Sequence, residues 1–132
     1  MTGPLDGVRV LDLTNGAAGA ICTMLLADYG AEVVKIEPPS GTAFRAGRLG
    51  ITWDRGKRSV VADPGSEADR VLVRQLARAA DVVLGGQDAG GFAEHGLDYD
   101  QLAAENPAMV YCRLAALGPR EEGPQCEGHD LL

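Results

Sequence analysis

The pattern of apolar and polar residues along the chain predicts five β-strands. Short apolar runs rich in β-branched residues recur, and most of them end at a glycine, a proline or a polar turn. The first run is followed by Thr14-Asn15-Gly16, and the second is stopped by Pro38-Pro39. The predicted strands are residues 8–13, 32–37, 59–62, 81–84 and 109–114.

Three helices are predicted between these strands. Residues 17–29 are dominated by Ala, Leu and Met, and Gly30 follows them as a helix-terminating glycine. Ser66 is a natural N-cap residue for a second helix, in which apolar residues recur at helical spacing up to residue 80. Residues 98–105 form a third, shorter helix.

The alternation of strands and helices predicts the fold class. It favours an α/β fold with a parallel sheet and helices on both faces, as a single domain over residues 1–132. Two long loops are expected, one at residues 39–58 and a glycine-rich one at residues 85–91. Apolar residues resume at the end of a polar tail, so we interpret the chain as an incomplete domain, a fragment of a longer protein.

Composition and charge exclude several functions. The 12 Lys and Arg are outnumbered by 19 Asp and Glu, so the chain carries −7 and lacks the basic face that nucleic-acid binding requires. The longest apolar stretch, residues 17–27, is too short to span a bilayer, and no signal peptide is evident. The 3 cysteines cannot all pair, which fits a reducing compartment. We expect a cytoplasmic protein without nucleic-acid or membrane partners.

Residues 44–60 are strongly cationic against this acidic background. The segment holds five cations and one acid, Asp54, so it carries +4 while the rest of the chain carries −11. A basic loop on an acidic protein is suited to a polyanionic small molecule, because Arg and Lys bind phosphate oxygens. The alternative is a solvated loop whose cations pair with nearby acids. The five cations are Arg45, Arg48, Arg55, Lys57 and Arg58.

Two glycine-containing turns are candidates for a ligand cleft. Residues 15–19 follow the first strand and residues 85–91 follow the fourth, where open α/β sheets bind ligands beyond their strand ends. The G-x-G-x-x-G fingerprint of dinucleotide sites is absent. Ordinary strand-to-helix turns are an equally good interpretation of this pattern.

The two histidines define no metal site. His95 lies in a polar loop, and His129 precedes Asp130, which could orient or charge it. Cys126 and His129 have a C-x-x-H spacing, but structural zinc normally needs four ligands and no second pair matches. We therefore expect no metal.

Several motifs together resemble the class III CoA-transferase family, which also includes the alpha-methylacyl-CoA racemases. The sequence PLDGVRVLDL at residues 4–13 resembles the family's opening, and LADYGAEVVKIEPP resembles its continuation. Shorter matches follow in order. They lie at residues 55–60, 80–83, 96–99, 106–107, 123–124 and 128–132.

The resemblance implies a Rossmann-like domain that binds the nucleotide end of coenzyme A in an interlocked homodimer. CoA and acyl-CoA would be substrates, with no tightly bound cofactor, and a carboxylic acid would accept the CoA. An aspartate beyond Leu132 would be the nucleophile, which fits covalent catalysis by a carboxylate. Together with the basic segment, the resemblance predicts contacts with CoA. The predicted residues are Ala17, Ala18, Arg55, Lys57, Arg58, Ala62, Asp63, Gly86, Gln87, Gly128 and Asp130.

Two alternatives stay open. In the racemases a histidine and a distant aspartate move the proton next to the thioester carbonyl, and His129 matches the position of that histidine. The chain also has Pro38, Asp88 and Glu94 where many members have arginine. Each lost charged hydrogen bond would cost about 1.5–3 kcal/mol. The second alternative is therefore a degenerate, non-catalytic member of the family.

Overall fold

Five parallel strands and four helices make up the part of the chain that the structure describes, residues 3–42, 48–86 and 96–114 of a computed structural model. The strands are β1 Arg9–Leu13, β2 Glu32–Glu37, β3 Lys57–Val61, β4 Val82–Gly86 and β5 Val110–Leu114. The helices are α1 Ala17–Asp28, α2 Arg48–Trp53, α3 Glu67–Ala79 and α4 Tyr99–Glu105.

The strands form one sheet in the order β3-β2-β1-β4-β5, and every pair of neighbours is parallel. This order is that of the first five strands of a Rossmann sheet. Because all strands run the same way, their C-terminal ends share one edge, which we call the carboxyl edge, and their N-terminal ends share the opposite amino edge. The sheet order reverses between β1 and β4, so the ligand crevice of such folds is expected at their carboxyl ends.

Two apolar layers cover the faces of the sheet. On one face, Val73 and Ala77 of α3 and Leu102 of α4 pack in a buried cluster with Leu11 and Val83 of the sheet. On the other face, α1 residues pack in a second cluster around Val10, Val33 and Leu84. The expected α/β Rossmann-like architecture with helices on both faces is confirmed.

Gly30 ends α1 and leads the chain into β2. Gly30 has φ +103°, a left-handed conformation that glycine adopts without strain. The Gly30 amide donates to the Ala27 carbonyl and the Ala31 amide to the Leu26 carbonyl, both at 3.0 Å. These two bonds are a Schellman motif, so the predicted terminating role of Gly30 is confirmed.

Both predicted loops include residues that the structure places in helices or strands. Residues 39–58 contain α2, and β3 begins at Lys57 rather than at residue 59. Helix α2 escapes prediction because its six residues include a glycine and two β-branched residues, which are weak helix formers. Strand β4 continues through Gly85 and Gly86, which pair with Arg113 and Leu114 of β5. Pairing on both sides here outweighs the weak strand preference of glycine.

None of the helices in the described ranges has the length and apolar character needed to cross a membrane.

Candidate functional site

The turn from β1 into α1 lies at the carboxyl edge, where the sheet order reverses. Gly16 is the N-cap residue of α1 and has extended backbone, with no side-chain hydrogen bond to the first turn. Ala17 and Ala18 open the helix, and Ala18 is exposed. Free amide groups and the helix dipole favour an anion at such a position. The turn can therefore receive an anionic group of a ligand.

The end of β3 brings two more predicted residues to the same edge. The Ala62 side chain is buried in the core, and its amide donates to the Glu37 carbonyl at 2.9 Å. Asp63 is exposed, and its Oδ1 accepts a 2.8 Å hydrogen bond from the Gly65 amide. The Asp63 amide donates to Asp69 Oδ2 of α3 at 2.9 Å. These bonds fix the backbone of residues 62–65 against the start of α3.

Gly86 is the last residue of β4, so it belongs to the carboxyl edge beside the end of β1. The structure thus places Ala17, Ala18, Ala62, Asp63 and Gly86 at one edge of the sheet. Four further predicted residues lie outside the described residues. They are Gln87, Gly128, His129 and Asp130.

The backbone of Arg55, Lys57 and Arg58 does not lie at this edge of the sheet. They enter β3 rather than leave it, and Lys57 and Arg58 pair in register with Val33 and Val34 near the start of β2. In a parallel sheet, the residues that precede a strand lie at the amino edge. This signal was present in the sequence, because the segment precedes its strand. Contact of these residues with CoA stays a prediction.

The two arginines are each paired with a carboxylate. Arg55 donates from Nε to Asp28 Oδ1 at 3.1 Å and from Nη2 to Asp28 Oδ2 at 2.5 Å. These side-chain hydrogen bonds lower the pKa of the Asp28 carboxyl. Arg58 is 72% exposed, with Nη2 3.6 Å from Glu32 Oε2. The alternative interpretation of the segment, cations paired with nearby acids, describes both arginines.

Lys57 belongs to a buried ion cluster of two lysines and three carboxylates. Its side chain is 2% exposed, and its Nζ lies 3.6 Å from Asp12 Oδ2 and 3.5 Å from Asp54 Oδ1. Lys35 Nζ completes the group, at 2.7 Å from Asp54 Oδ1 and 3.9 Å from Glu37 Oε1. Burial lowers the pKa of the Lys57 ammonium, and the charges of Asp12 and Asp54 oppose that shift. The buried ion cluster comprises Asp12, Lys35, Glu37, Asp54 and Lys57.

Asp12 is the residue near the site that sequence reasoning did not single out. It is fully buried, and its Oδ1 accepts hydrogen bonds from the Thr14 amide at 2.9 Å and from Thr14 Oγ1 at 2.6 Å. Its Oδ2 accepts a hydrogen bond from Thr23 Oγ1 at 2.6 Å. An aspartate inside an otherwise apolar strand was the available signal, because a buried carboxylate requires partners.

Among the described residues, the carboxyl edge offers backbone groups and the N-terminus of α1. Within residues 3–42, 48–86 and 96–114, no group of three or more His, Cys, Asp or Glu side chains could hold a metal ion. The strand order and the open start of α1 at the crevice are those of Rossmann-like ligand-binding domains. The fold is thus a Rossmann-like α/β domain with the start of α1 at its carboxyl edge.

Comparison with known proteins identifies the family. Residues 5–132 match CoA-transferase family III, and the chain belongs to that family. It is 35% identical, over 98% of its length, to a succinate–glutarate CoA-transferase of Agrobacterium fabrum. It is 35% identical, over 96% of its length, to a human alpha-methylacyl-CoA racemase.

The fold agrees with solved structures of the same family. The crystal structure of the Mycobacterium tuberculosis protein Rv3272 superposes on 98% of this chain with a TM-score of 0.88 and 39% sequence identity. The chain covers 38% of that structure, 36% of the Agrobacterium protein and 32% of the human protein. It therefore spans about a third of the length of these relatives.

Proposed function

We propose that this chain is the CoA-binding portion of an enzyme that moves CoA between acyl groups. The match to CoA-transferase family III across residues 5–132 is the observation that carries the proposal. In this proposal, the phosphates of acyl-CoA lie at the carboxyl edge, near Ala17, Ala18, Asp63 and Gly86. The dipole of α1 and its first amides, which have no partner within the helix, attract the phosphates.

The chemical step requires groups outside these 132 residues. In the proposed reaction, an aspartate beyond Leu132 attacks the acyl-CoA carbonyl and releases CoA as a thiolate, which leaves a mixed anhydride. The thiolate then attacks the aspartyl carbonyl and releases the acid. The second carboxylic acid reverses both steps and takes the CoA. The chain by itself is then expected to show no turnover, and the full-length enzyme to act as an interlocked homodimer in the cytoplasm without a tightly bound cofactor.

The direct test uses the full-length protein with acyl-CoA donors and isotope-labelled acids. Succinyl-CoA and acetyl-CoA would be offered with four- and five-carbon dicarboxylic acids, since several relatives carry the names of such acids. The expected result is labelled acyl-CoA and an activated aspartyl carbonyl, which hydroxylamine converts to a hydroxamate on one aspartate with release of CoA. CoA release without transfer to any acid would contradict the proposal.

A racemase is the second candidate, favoured by the 35% identity to the human alpha-methylacyl-CoA racemase. In that case His129 would act as the general base on the α-carbon, and no acyl group would transfer. A 2-methylacyl-CoA substrate would then incorporate deuterium from heavy water, and His129→Ala would lose this exchange. A trapped aspartyl intermediate without α-proton exchange would exclude it.

A non-catalytic member is the remaining alternative, suggested by Pro38, Asp88 and Glu94 at family arginine positions. Calorimetry of the full-length protein with CoA separates this alternative from the enzymes. Micromolar binding would exclude it, and absence of binding would contradict the proposed function.

The predicted phosphate contacts of the cationic residues need a test that spares Lys57, because Lys57 is buried among carboxylates. The double variant Arg55→Ala/Arg58→Ala removes two exposed cations from the amino edge. A raised KM for acyl-CoA that depends on salt concentration would support direct contact. An unchanged KM would contradict it and leave the carboxyl edge as the phosphate site.

A further inference from the structure

The buried ion cluster is connected to the turn that opens the proposed CoA site. Lys57 Nζ donates a 2.9 Å hydrogen bond to the Ala20 carbonyl in α1, in addition to its ion pairs. Asp12 accepts hydrogen bonds from Thr14, where the turn begins, and from Thr23 in the second turn of α1. The buried ion cluster thus contacts the segment 14–20 at its first residue, Thr14, and at its last, Ala20.

Close packing leaves this segment little room to shift. A side-chain carbon built on Gly19 would lie 1.9 Å from Thr14 Oγ1, so the first turns of α1 lie directly against the end of β1. Gly19 and Thr23 are both buried. The direction of the Ala17 and Ala18 amides therefore follows from the positions of Thr14 and Ala20.

From these contacts we infer that Lys57 and Asp12 are positioning residues for CoA, acting through the β1–α1 turn and the first two turns of α1. The inference rests on the proposed function for its ligand. Two charged side chains from different strands, β1 and β3, fix one helix end. Two elements far apart in the sequence thereby set the orientation of the groups that receive the phosphate, and preorganised groups bind without a cost for ordering them.

The inference explains why a costly buried charge is present at this position. A lysine with 2% exposure loses its hydration, and an apolar side chain could fill the same volume without that loss. The Lys57 ammonium donates to the Ala20 carbonyl and to Asp54 and forms an ion pair with Asp12, which no apolar residue can do. Lys57 therefore links α1, β1 and the Asp54 turn at a single atom.

The principal test compares Lys57→Met with Arg9→Met in the full-length protein. Methionine keeps the length of the lysine side chain and removes its charge. Arg9 is a matched control, because it also pairs with an aspartate, Asp81, but is 55% exposed at the amino edge of β1. Lys57→Met is expected to weaken CoA binding in calorimetry by roughly 10-fold to 100-fold. The KM of Lys57→Met for the acid acceptor should stay unchanged. The affinity of Arg9→Met for CoA should also equal that of the wild type.

Hydrogen exchange measures, without CoA, whether Lys57 and Asp12 restrain residues 14–20, an arrangement that we call the clamp. The amides of residues 14–20 should exchange faster in Lys57→Met than in the unmodified protein, with no such change in Arg9→Met. If the wild type binds no CoA while this exchange difference appears, the proposed function is wrong. The clamp then exists, but it does not position CoA. Unchanged exchange at residues 14–20 would overturn the clamp, whatever the outcome with CoA.

A second variant guards against a simple failure to fold. Asp12→Asn/Lys57→Met removes one cation and one anion, so the net charge of the buried ion cluster stays the same. Its CoA affinity is expected to remain at the level of Lys57→Met, because the bond to the Ala20 carbonyl is still missing. Wild-type CoA affinity in either variant would overturn the inference.

Discussion

The ion pair between Asp12 and Lys57 joins two side chains that are far apart in the sequence. Asp12 stands inside an apolar strand and Lys57 inside a basic segment, yet the structure brings Asp12 Oδ2 and Lys57 Nζ within 3.6 Å. The sequence identified Lys57 as a cation of interest but attributed it to phosphate binding. Long-range pairing of β1 with β2 and of β2 with β3 decides which carboxylates the lysine meets, and a local pattern contains no information on that pairing.

The lowered pKa of Lys57 predicts a dependence of stability on pH. At pH values between the lowered pKa of Lys57 in the folded state and its ordinary pKa of about 10.4, the unfolded state binds more protons than the folded state. The free energy of unfolding therefore gains a term that rises with pH in that window. Asp12, Asp54 and Lys35 are the charged groups that act on Lys57.

Chemical denaturation of the full-length protein and of Lys57→Met, from pH 7 to above pH 10, measures this term. The free energy of unfolding of the wild type should rise relative to that of Lys57→Met as the pH approaches about 10.4. A difference that does not change with pH would show that the pKa of Lys57 is not lowered.

We expect Ala18→Asp to raise stability and to weaken the binding of acyl-CoA. An acid in the first turn of α1 favours the helix dipole, so stability should rise by about 0.3–1 kcal/mol. The same charge would repel a CoA phosphate and raise the KM for acyl-CoA by roughly tenfold or more, equivalent to about 1.4 kcal/mol. Ala104→Asp, an exposed position in α4, is the charge-matched control. Equal KM values for the two variants would place the phosphates away from α1.

Helix α1 illustrates what an element's sequence determines and what it leaves open. Its helix formers and Gly30 predicted its course well, because both signals are local. Helix α2 was missed, because six residues are too few to show a helical period. Strand β2 was predicted to its exact bounds, since its apolar run is closed by a double proline.

The packing of α1 on β1 predicts that Gly19→Ala is strongly destabilising. The added carbon would lie 1.9 Å from Thr14 Oγ1 and 2.4 Å from Thr14 Cβ, so the helix must move away from the strand. Overpacking of this kind costs about 1–3 kcal/mol. The KM for acyl-CoA should rise as well, because the β1–α1 turn is displaced.

Gly16→Ala is the matched control for that substitution. A side-chain carbon on Gly16 meets nothing within 4 Å, and its φ of −101° is open to any residue. Denaturation midpoints of the two variants should therefore differ clearly. Equal midpoints would mean that α1 does not lie tightly against β1.

The described residues form a sheet with a carboxyl edge and an amino edge, and the predicted site residues divide between them. The alternation of strands and helices was enough to predict a parallel sheet, because few topologies satisfy the connection rules. The expected ligand edge followed from strand ends, and the structure places Ala17, Ala18, Ala62, Asp63 and Gly86 there. The cationic segment was assigned by its charge and by the family resemblance, and neither tells which end of a strand a side chain occupies.

Hydrogen exchange of the full-length protein with and without CoA tests most directly whether the nucleotide occupies the carboxyl edge. CoA is expected to slow exchange at residues 14–20 and 62–66, because the ligand shields these amides and restrains the start of α1 and α3. Residues 55–58 and 9–10, at the amino edge, should exchange at the same rate in both states. Protection confined to residues 55–58, with none at residues 14–20, would contradict this account.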